Sequence, residues 1–134
     1  MPVKTQHPHA EIGEEHFTIA TFNVRYGSAP DKANSWEERK ALFRRCVKEL
    51  AADLLAVQEA LPFQLDEIKH ALPHLARFGY GRFHGTFSDR NHESYSGEHC
   101  DIYYNPDRFA VEAWDTFWHS STPAAAGSAD WGNS

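Results

Sequence analysis

Residues 17–59 read as strand, loop, helix, strand, and they constrain the fold more than any other stretch. Phe17-Thr18-Ile19-Ala20-Thr21-Phe22-Asn23-Val24 is apolar along most of its length and carries a polar residue, Asn23, near its end. After a loop broken by Gly27 and Pro30, the residues Trp36, Phe43, Cys46, Val47 and Leu50 recur at helical spacing and predict a helix over 36–52. Leu54-Leu55-Ala56-Val57-Gln58-Glu59 follows, again apolar and ending in a polar residue. A strand–helix–strand crossover is nearly always right-handed and sets its strands parallel. Parallel neighbours lie about 4.8 Å apart. Their C-terminal ends share one edge of the sheet, where ligands of open α/β sheets bind. Asn23 and Glu59 are therefore expected to face one small site.

Both faces of the first strand are largely apolar, which predicts cover on both sides. Ser35 and Glu38 are spaced as a capping box, with the hydroxyl and the carboxylate each satisfying the other's amide. Lys40, Arg44 and Lys48, four apart each time, form a basic stripe. A solvated helix face is the ordinary reading of such a stripe, and a phosphate groove is the sharper one.

Pro62 suits the first turn of a second helix, whose apolar stripe is Leu61, Leu65, Ile68 and Leu72 and whose end is Pro73. Residues 76–83 then predict a strand, 84–97 a polar, mobile loop, and 98–104 and 109–118 two strands paired as a hairpin about Asn105-Pro106-Asp107. Residues 120–132 have loop composition, yet Trp131 needs a surface to pack on.

With 134 residues the chain is long enough for one ordinary domain. A hydrophobic content of 41% and an aromatic content of 13% argue for a packed globule. The 13 basic and 19 acidic residues leave a net charge of −6, which counts against tight non-specific binding of nucleic acid. Cys46 and Cys100 make no disulfide framework, so a reducing, cytoplasmic setting is expected. No apolar run approaches the roughly 20 residues of a membrane span. Residues 1–15 carry His7, Pro8 and His9 but no apolar core of a signal peptide, and they predict a flexible leader ahead of a domain over 16–134.

A strand-end glutamate beside an amide is a plausible start for Mg²⁺ chemistry. Mg²⁺ keeps several waters and takes one or two protein carboxylates plus substrate phosphate oxygens. Glu59 can supply the carboxylate, and Asn23 can hold a phosphate oxygen or a metal-bound water without adding charge. His84, His92 and His99 are not spaced as ligands on one element. For His84 and His92 solvation is the default, and for His99 a structural place on its strand. Trp114, Phe117 and Trp118 can stack on a base, but core packing or interface filling is the simpler use of aromatics at strand spacing.

Thr21-Phe22-Asn23-Val24-Arg25-Tyr26, then Asn34-Ser35-Trp36-Glu37-x-Arg39, then Asp53-Leu54-Leu55-Ala56-Val57-Gln58-Glu59-Ala60, resemble the opening motifs of the endonuclease/exonuclease/phosphatase superfamily. The likeness continues through Pro62-Phe63-Gln64-Leu65, Gly97-Glu98-His99-Cys100-x-Ile102-Tyr103-Tyr104, Asp107-Arg108-Phe109 and Thr116-Phe117-Trp118-x-Ser120-x-Thr122-Pro123. The resemblance implies a deoxyribonuclease-I-like fold, a four-layer α/β sandwich, and hydrolysis of phosphate esters with Mg²⁺ or Mn²⁺. By motif, Glu59 matches the metal-binding glutamate and Asn23 the asparagine beside metal and scissile phosphate. Glu98 falls where some nucleases of this fold place a glutamate that orients a catalytic histidine.

The family's catalytic histidine pair, its Gly-Asp-x-Asn stretch and its final Ser-Asp-His belong to the second half of that fold. This chain has no Gly-Asp-x-Asn and no Ser-Asp-His. The resemblance therefore implies the first half of a domain about twice as long, without the general base and without activity on its own. The acidic balance favours a small phosphorylated molecule or lipid headgroup over duplex DNA. The alternative is a non-catalytic fragment or half-domain that self-associates or pairs with a separate second half.

Overall fold

The computed structural model describes residues 16–83 and 97–132. The expected leader at 1–15, and the polar loop with His84 and His92, lie outside the described residues. Strand β1 spans Ile19–Asn23, helix α1 Trp36–Leu50, strand β2 Leu54–Gln58, helix α2 Pro62–Ala71, strand β3 Ala76–Phe78 and strand β4 Ile102–Tyr104. The strands form one mixed sheet in the order β1-β2-β4-β3. β1 and β2 are parallel, as the crossover requires, with Asn23 opposite Gln58. β4 runs antiparallel to both β2 and β3.

The register sorts the side chains into two faces. Ala20, Leu55 and Tyr103 share one face with Phe22 and Val57. Onto that face pack Trp36, Phe43 and Val47 of α1 and Leu65, Ile68 and Ala71 of α2. Phe22 meets Phe43 at 5.7 Å, and the Tyr103 hydroxyl donates to the Leu65 carbonyl across the layer. The opposite face carries Ile19, Thr21 and Asn23 of β1, and Ile19 is 66% exposed. Among the described residues only one face of β1 is covered, where cover on both sides was expected. Both helices lie on one face, so the described residues form one helical layer on one sheet, two layers of the four-layer α/β sandwich.

The helix caps differ from expectation. Ser35 is the N-cap of α1, but its side chain makes no capping bond; its carbonyl accepts from the amides of Glu38 and Arg39 instead. The reciprocal half of such a box sits on α2, where the Leu61 amide donates to Oε1 of the buried Gln64. Leu50, expected inside, is at the surface. Two members of the basic stripe are paired: Lys40 with Glu37 on its own helix, and Arg44 with Glu67 on α2.

The predicted hairpin of 98–104 with 109–118 is also corrected. β4 is short, and both its edges are occupied by β2 and β3, so no edge is left for a later strand. Residues 109–118 run without strand structure from Phe109, which packs on Phe17, to Trp114, which packs on Phe78 and Tyr80. The predicted strand 76–83 shortens to Ala76–Phe78, because a glycine at φ +145, Gly79, bends the chain where Asp101 crowds against it. Trp131 is 62% exposed, so among the described residues it finds no enclosing surface.

Candidate functional site

β1 and β2 deliver Asn23 and Glu59 to the same sheet edge. Asn23 Nδ2 donates to Glu59 Oε1 at 2.7 Å. The Tyr26 amide donates to Glu59 Oε2 at 3.0 Å, and the Arg25 amide donates to Asn23 Oδ1 at 2.8 Å. Both side chains are thus oriented by the loop that leaves β1. Arg25 and Glu59 take left-handed backbone conformations, with φ of 60 and 59. Such residues cost about 1–3 kcal/mol each and persist only where surrounding contacts hold them.

Two residues supply that hold. Arg39, from the second turn of α1, donates through Nη1 to the Val24 carbonyl and through Nη2 to the Arg25 carbonyl, and its guanidinium lies 4.9 Å from the Trp36 ring. Gln64 donates through Nε2 to the same Arg25 carbonyl at 2.9 Å. Gln64 is fully buried, and one amide therefore joins the start of α2 to the site loop. The sequence showed Arg39 and Gln64 only as members of motifs. A glutamine two residues after the helix-opening Pro62, where its amide can reach back to the Leu61 amide, was the available signal.

The Asn23 hydrogen bond and then the Tyr26 amide hold the Glu59 carboxyl below the usual carboxylate range, against the opposing effect of burial; the Arg25 charge adds to the lowering. Glu59 is thus an anion at neutral pH, held by two donors. A carboxylate has about four lone-pair sites on its two oxygens. Each oxygen of Glu59 therefore keeps capacity for a cation. Among the described residues no group of three or more His, Cys, Asp and Glu could hold a metal ion. That donor set fits a hydrated Mg²⁺ or Mn²⁺ completed by substrate oxygens, and it does not fit a closed zinc site.

Glu98 stands apart from the pair. Its carboxylate is 3.8 Å from the Arg82 guanidinium, and the Arg82 amide donates to its carbonyl. The next residue, His99, forms a bridge with Ala60, so Glu98 is held close to the β2 end without a hydrogen bond to Asn23 or Glu59 among the described contacts. His99 is not placed as a ligand. It is buried, with Nδ1 at 3.0 Å from Oδ1 of the fully buried Asp101, whose other oxygen pairs with Arg77 at 3.0 Å. Cys100 is exposed at its surface, yet its neighbours desolvate the sulfur and raise its pKa; Asp101, Glu98 and Glu59 raise it further, while the Glu59 amide opposes them.

The sequence profile described as the endonuclease/exonuclease/phosphatase family matches residues 20–129. No curated protein matches the chain. Among solved structures, an endonuclease/exonuclease/phosphatase from Bacteroides vulgatus is 30% identical, superposes with a TM-score of 0.71, and is covered over 41% of its length by 86% of this chain. A mannosyl-6-phosphatase of Bacteroides thetaiotaomicron is 31% identical with a TM-score of 0.71, over 87% of this chain and 41% of that one. A functionally unknown conserved protein from Enterococcus faecalis is 25% identical with a TM-score of 0.66, over 81% of this chain and 39% of its own. The chain thus spans about two fifths of the length of these neighbours. The match over most of its residues, on a sheet that carries the motif residues in the expected order, means that the chain belongs to the endonuclease/exonuclease/phosphatase family.

Proposed function

We propose that these residues form the metal-binding edge of a phosphoester hydrolase whose substrate is a small phosphorylated molecule. The Asn23–Glu59 hydrogen bond at the joined ends of two parallel strands carries this reading. Glu59 would hold the cation, and Asn23, whose Oδ1 keeps one lone pair and whose Nδ2 keeps one hydrogen, would touch the metal shell or a phosphate oxygen. A divalent ion bound there would polarise the phosphoryl group and stabilise the charge that develops on it. Arg25, exposed and paired with Asp31, adds positive potential beside Glu59. The neighbour named as a mannosyl-6-phosphatase supports a small phosphorylated substrate over duplex DNA. No helix among the described residues is long and apolar enough to cross a membrane.

Among the described residues the site has one carboxylate and one amide, with no matched base for the attacking water. Residues that act as a unit lose nearly all their joint effect when separated. We therefore expect the purified chain, with excess Mg²⁺ or Mn²⁺, to leave a chromogenic aryl phosphate and plasmid DNA unhydrolysed. Glu59→Ala controls for contamination. Robust turnover by the unmodified chain that disappears in Glu59→Ala would refute the expected inactivity. In a longer polypeptide carrying these residues and the rest of the fold, Glu59→Gln removes most Mg²⁺-dependent turnover; unchanged turnover would refute the role of Glu59.

The open sheet face favours a second reading, a half-domain that associates. Ile19 and Phe17 are both more than half exposed at the β1 end of the sheet, and apolar patches of this kind mark contact surfaces. Size-exclusion chromatography distinguishes the two: a clean, stable monomer counts against the half-domain.

A further inference from the structure

Arg25 holds a backbone conformation that glycine adopts freely and arginine does not, with φ of 60. Bonds to both of its peptide groups maintain it: the amide donates to Asn23 Oδ1, and the carbonyl accepts from Arg39 and Gln64. The side chain then meets Asp31 side-on. Nε donates to Asp31 Oδ2 at 3.0 Å and Nη2 to Asp31 Oδ1 at 2.9 Å. Stability does not account for this arrangement. The Arg25 side chain is 57% exposed, and an exposed ion pair stabilises by less than a strained backbone costs. Nor is Asp31 needed as a cap, since its side chain makes no capping bond to the short turn Lys32–Asn34 that follows it.

The ion pair fixes where the rest of the guanidinium lies. Arginine carries five N–H donors in one plane. Asp31 takes one from Nε and one from Nη2, which leaves both hydrogens of Nη1 and the second of Nη2 unused among the described contacts. Nη1 and Nη2 thus form an open edge whose parallel donors match two oxygens of one phosphate. That edge belongs to the site. The Arg25 amide bonds Asn23, and Arg25 and Glu59 lie within electrostatic reach, each favouring the other's charged form. A phosphate monoester has three unesterified oxygens, so with one on a cation at Glu59 two remain for the open edge. A diester has only one remaining, and it leaves a donor of the edge unpaired.

We propose that Arg25 binds the substrate phosphate through its Nη1–Nη2 edge, that Asp31 is the positioning residue that orients it, and that this edge tells phosphate monoesters from diesters. The proposal rests on the phosphoester reading for where the phosphate sits. Lysine in place of Arg25 keeps the charge and loses the planar fork. Asparagine in place of Asp31 leaves the guanidinium charged but no longer held by an ion pair.

Side-chain NMR of the chain reads the Arg25 Nε–H directly, and the Tyr26 amide provides a second signal beside it. Methyl phosphate with Mg²⁺ is expected to shift both saturably, and dimethyl phosphate at matched ionic strength is expected to bind several-fold more weakly. Arg25→Lys, read from the Tyr26 amide, is expected to lose most of the methyl phosphate affinity and most of the preference over dimethyl phosphate, an effect that charge alone does not give. Asp31→Asn is expected to weaken methyl phosphate several-fold while the Arg25 signal persists. Circular dichroism checks the fold of both variants. Equal binding of the two esters, an undiminished preference in Arg25→Lys, or methyl phosphate bound as tightly or more tightly by Asp31→Asn would overturn the proposal. If methyl phosphate shifts Arg25 equally with and without Mg²⁺, and Mn²⁺ finds no site at Glu59, the Arg25 assignment stands while the metal-dependent phosphoester reading falls. If Mn²⁺ binds at Glu59 and neither ester shifts Arg25, the Arg25 assignment falls alone.

Discussion

Asn23 Nδ2 donates to Glu59 Oε1 across 2.7 Å, joining the ends of two strands that lie 36 residues apart in sequence. This bond is the largest cause of the lowered Glu59 pKa. Asn23→Ala is expected to raise the Glu59 titration midpoint toward the ordinary glutamate value of about 4.3. Carboxyl chemical shifts followed across acid pH measure it, and an unchanged midpoint would contradict the assigned cause.

The same lowering has a consequence for stability. A carboxyl whose folded pKa lies below its unfolded value binds fewer protons when folded, so it stabilises the fold above the unfolded pKa and loses that contribution as pH falls through the folded one. Glu59 behaves this way, and so does Asp53, lowered first by the Thr18 amide and then by Arg108, which lies 2.7 Å away. Stability is expected to be flat near neutrality and to fall below about pH 4. Urea melts at stepped pH test this. In Asn23→Ala the acid-side loss should be smaller.

Arg39 and Gln64 converge on the carbonyl of Arg25, whose backbone is left-handed. Hydrogen bonds from charged donors contribute about 1.5–3 kcal/mol. Arg39→Ala is expected to destabilise by that amount and to speed exchange of the Tyr26 amide, which caps Glu59. Hydrogen exchange resolved by residue checks the local effect. Loss of stability with an unchanged Tyr26 amide would show that Arg39 only packs.

Much of this site was legible in the sequence, and the reason is local. The strand–helix–strand pattern needs only apolar periodicity and one crossover, so β1, α1, β2 and the meeting of Asn23 with Glu59 followed from it. What was not legible depends on partners distant in sequence. Whether 109–118 becomes a strand turns on β4 having a free edge, and β3 takes that edge. The role of Gln64 depends on a carbonyl 39 residues away. The motif resemblance placed Glu98 near the site, but its pairing with Arg82 came only from the structure.

Gly79 has φ +145, and a Cβ there would stand 2.1 Å from Oδ1 of the buried Asp101. The obstacle is the carboxylate that also holds His99, so it cannot swing aside cheaply. Gly79→Ala is expected to cost about 3 kcal/mol. Gly132, with nothing within 4 Å of such a Cβ, provides the contrast: Gly132→Ala should cost about 1 kcal/mol, from backbone conformation alone. Comparable losses in thermal or urea melts of the two variants would contradict the role given to Asp101.

Mn²⁺ titration of the chain followed by NMR tests most directly whether Glu59 holds a divalent cation beside Asn23. Weak binding is expected, with paramagnetic broadening centred on Asn23, Tyr26 and Glu59 and abolished in Glu59→Gln. Broadening centred elsewhere, or unchanged in that variant, would contradict it.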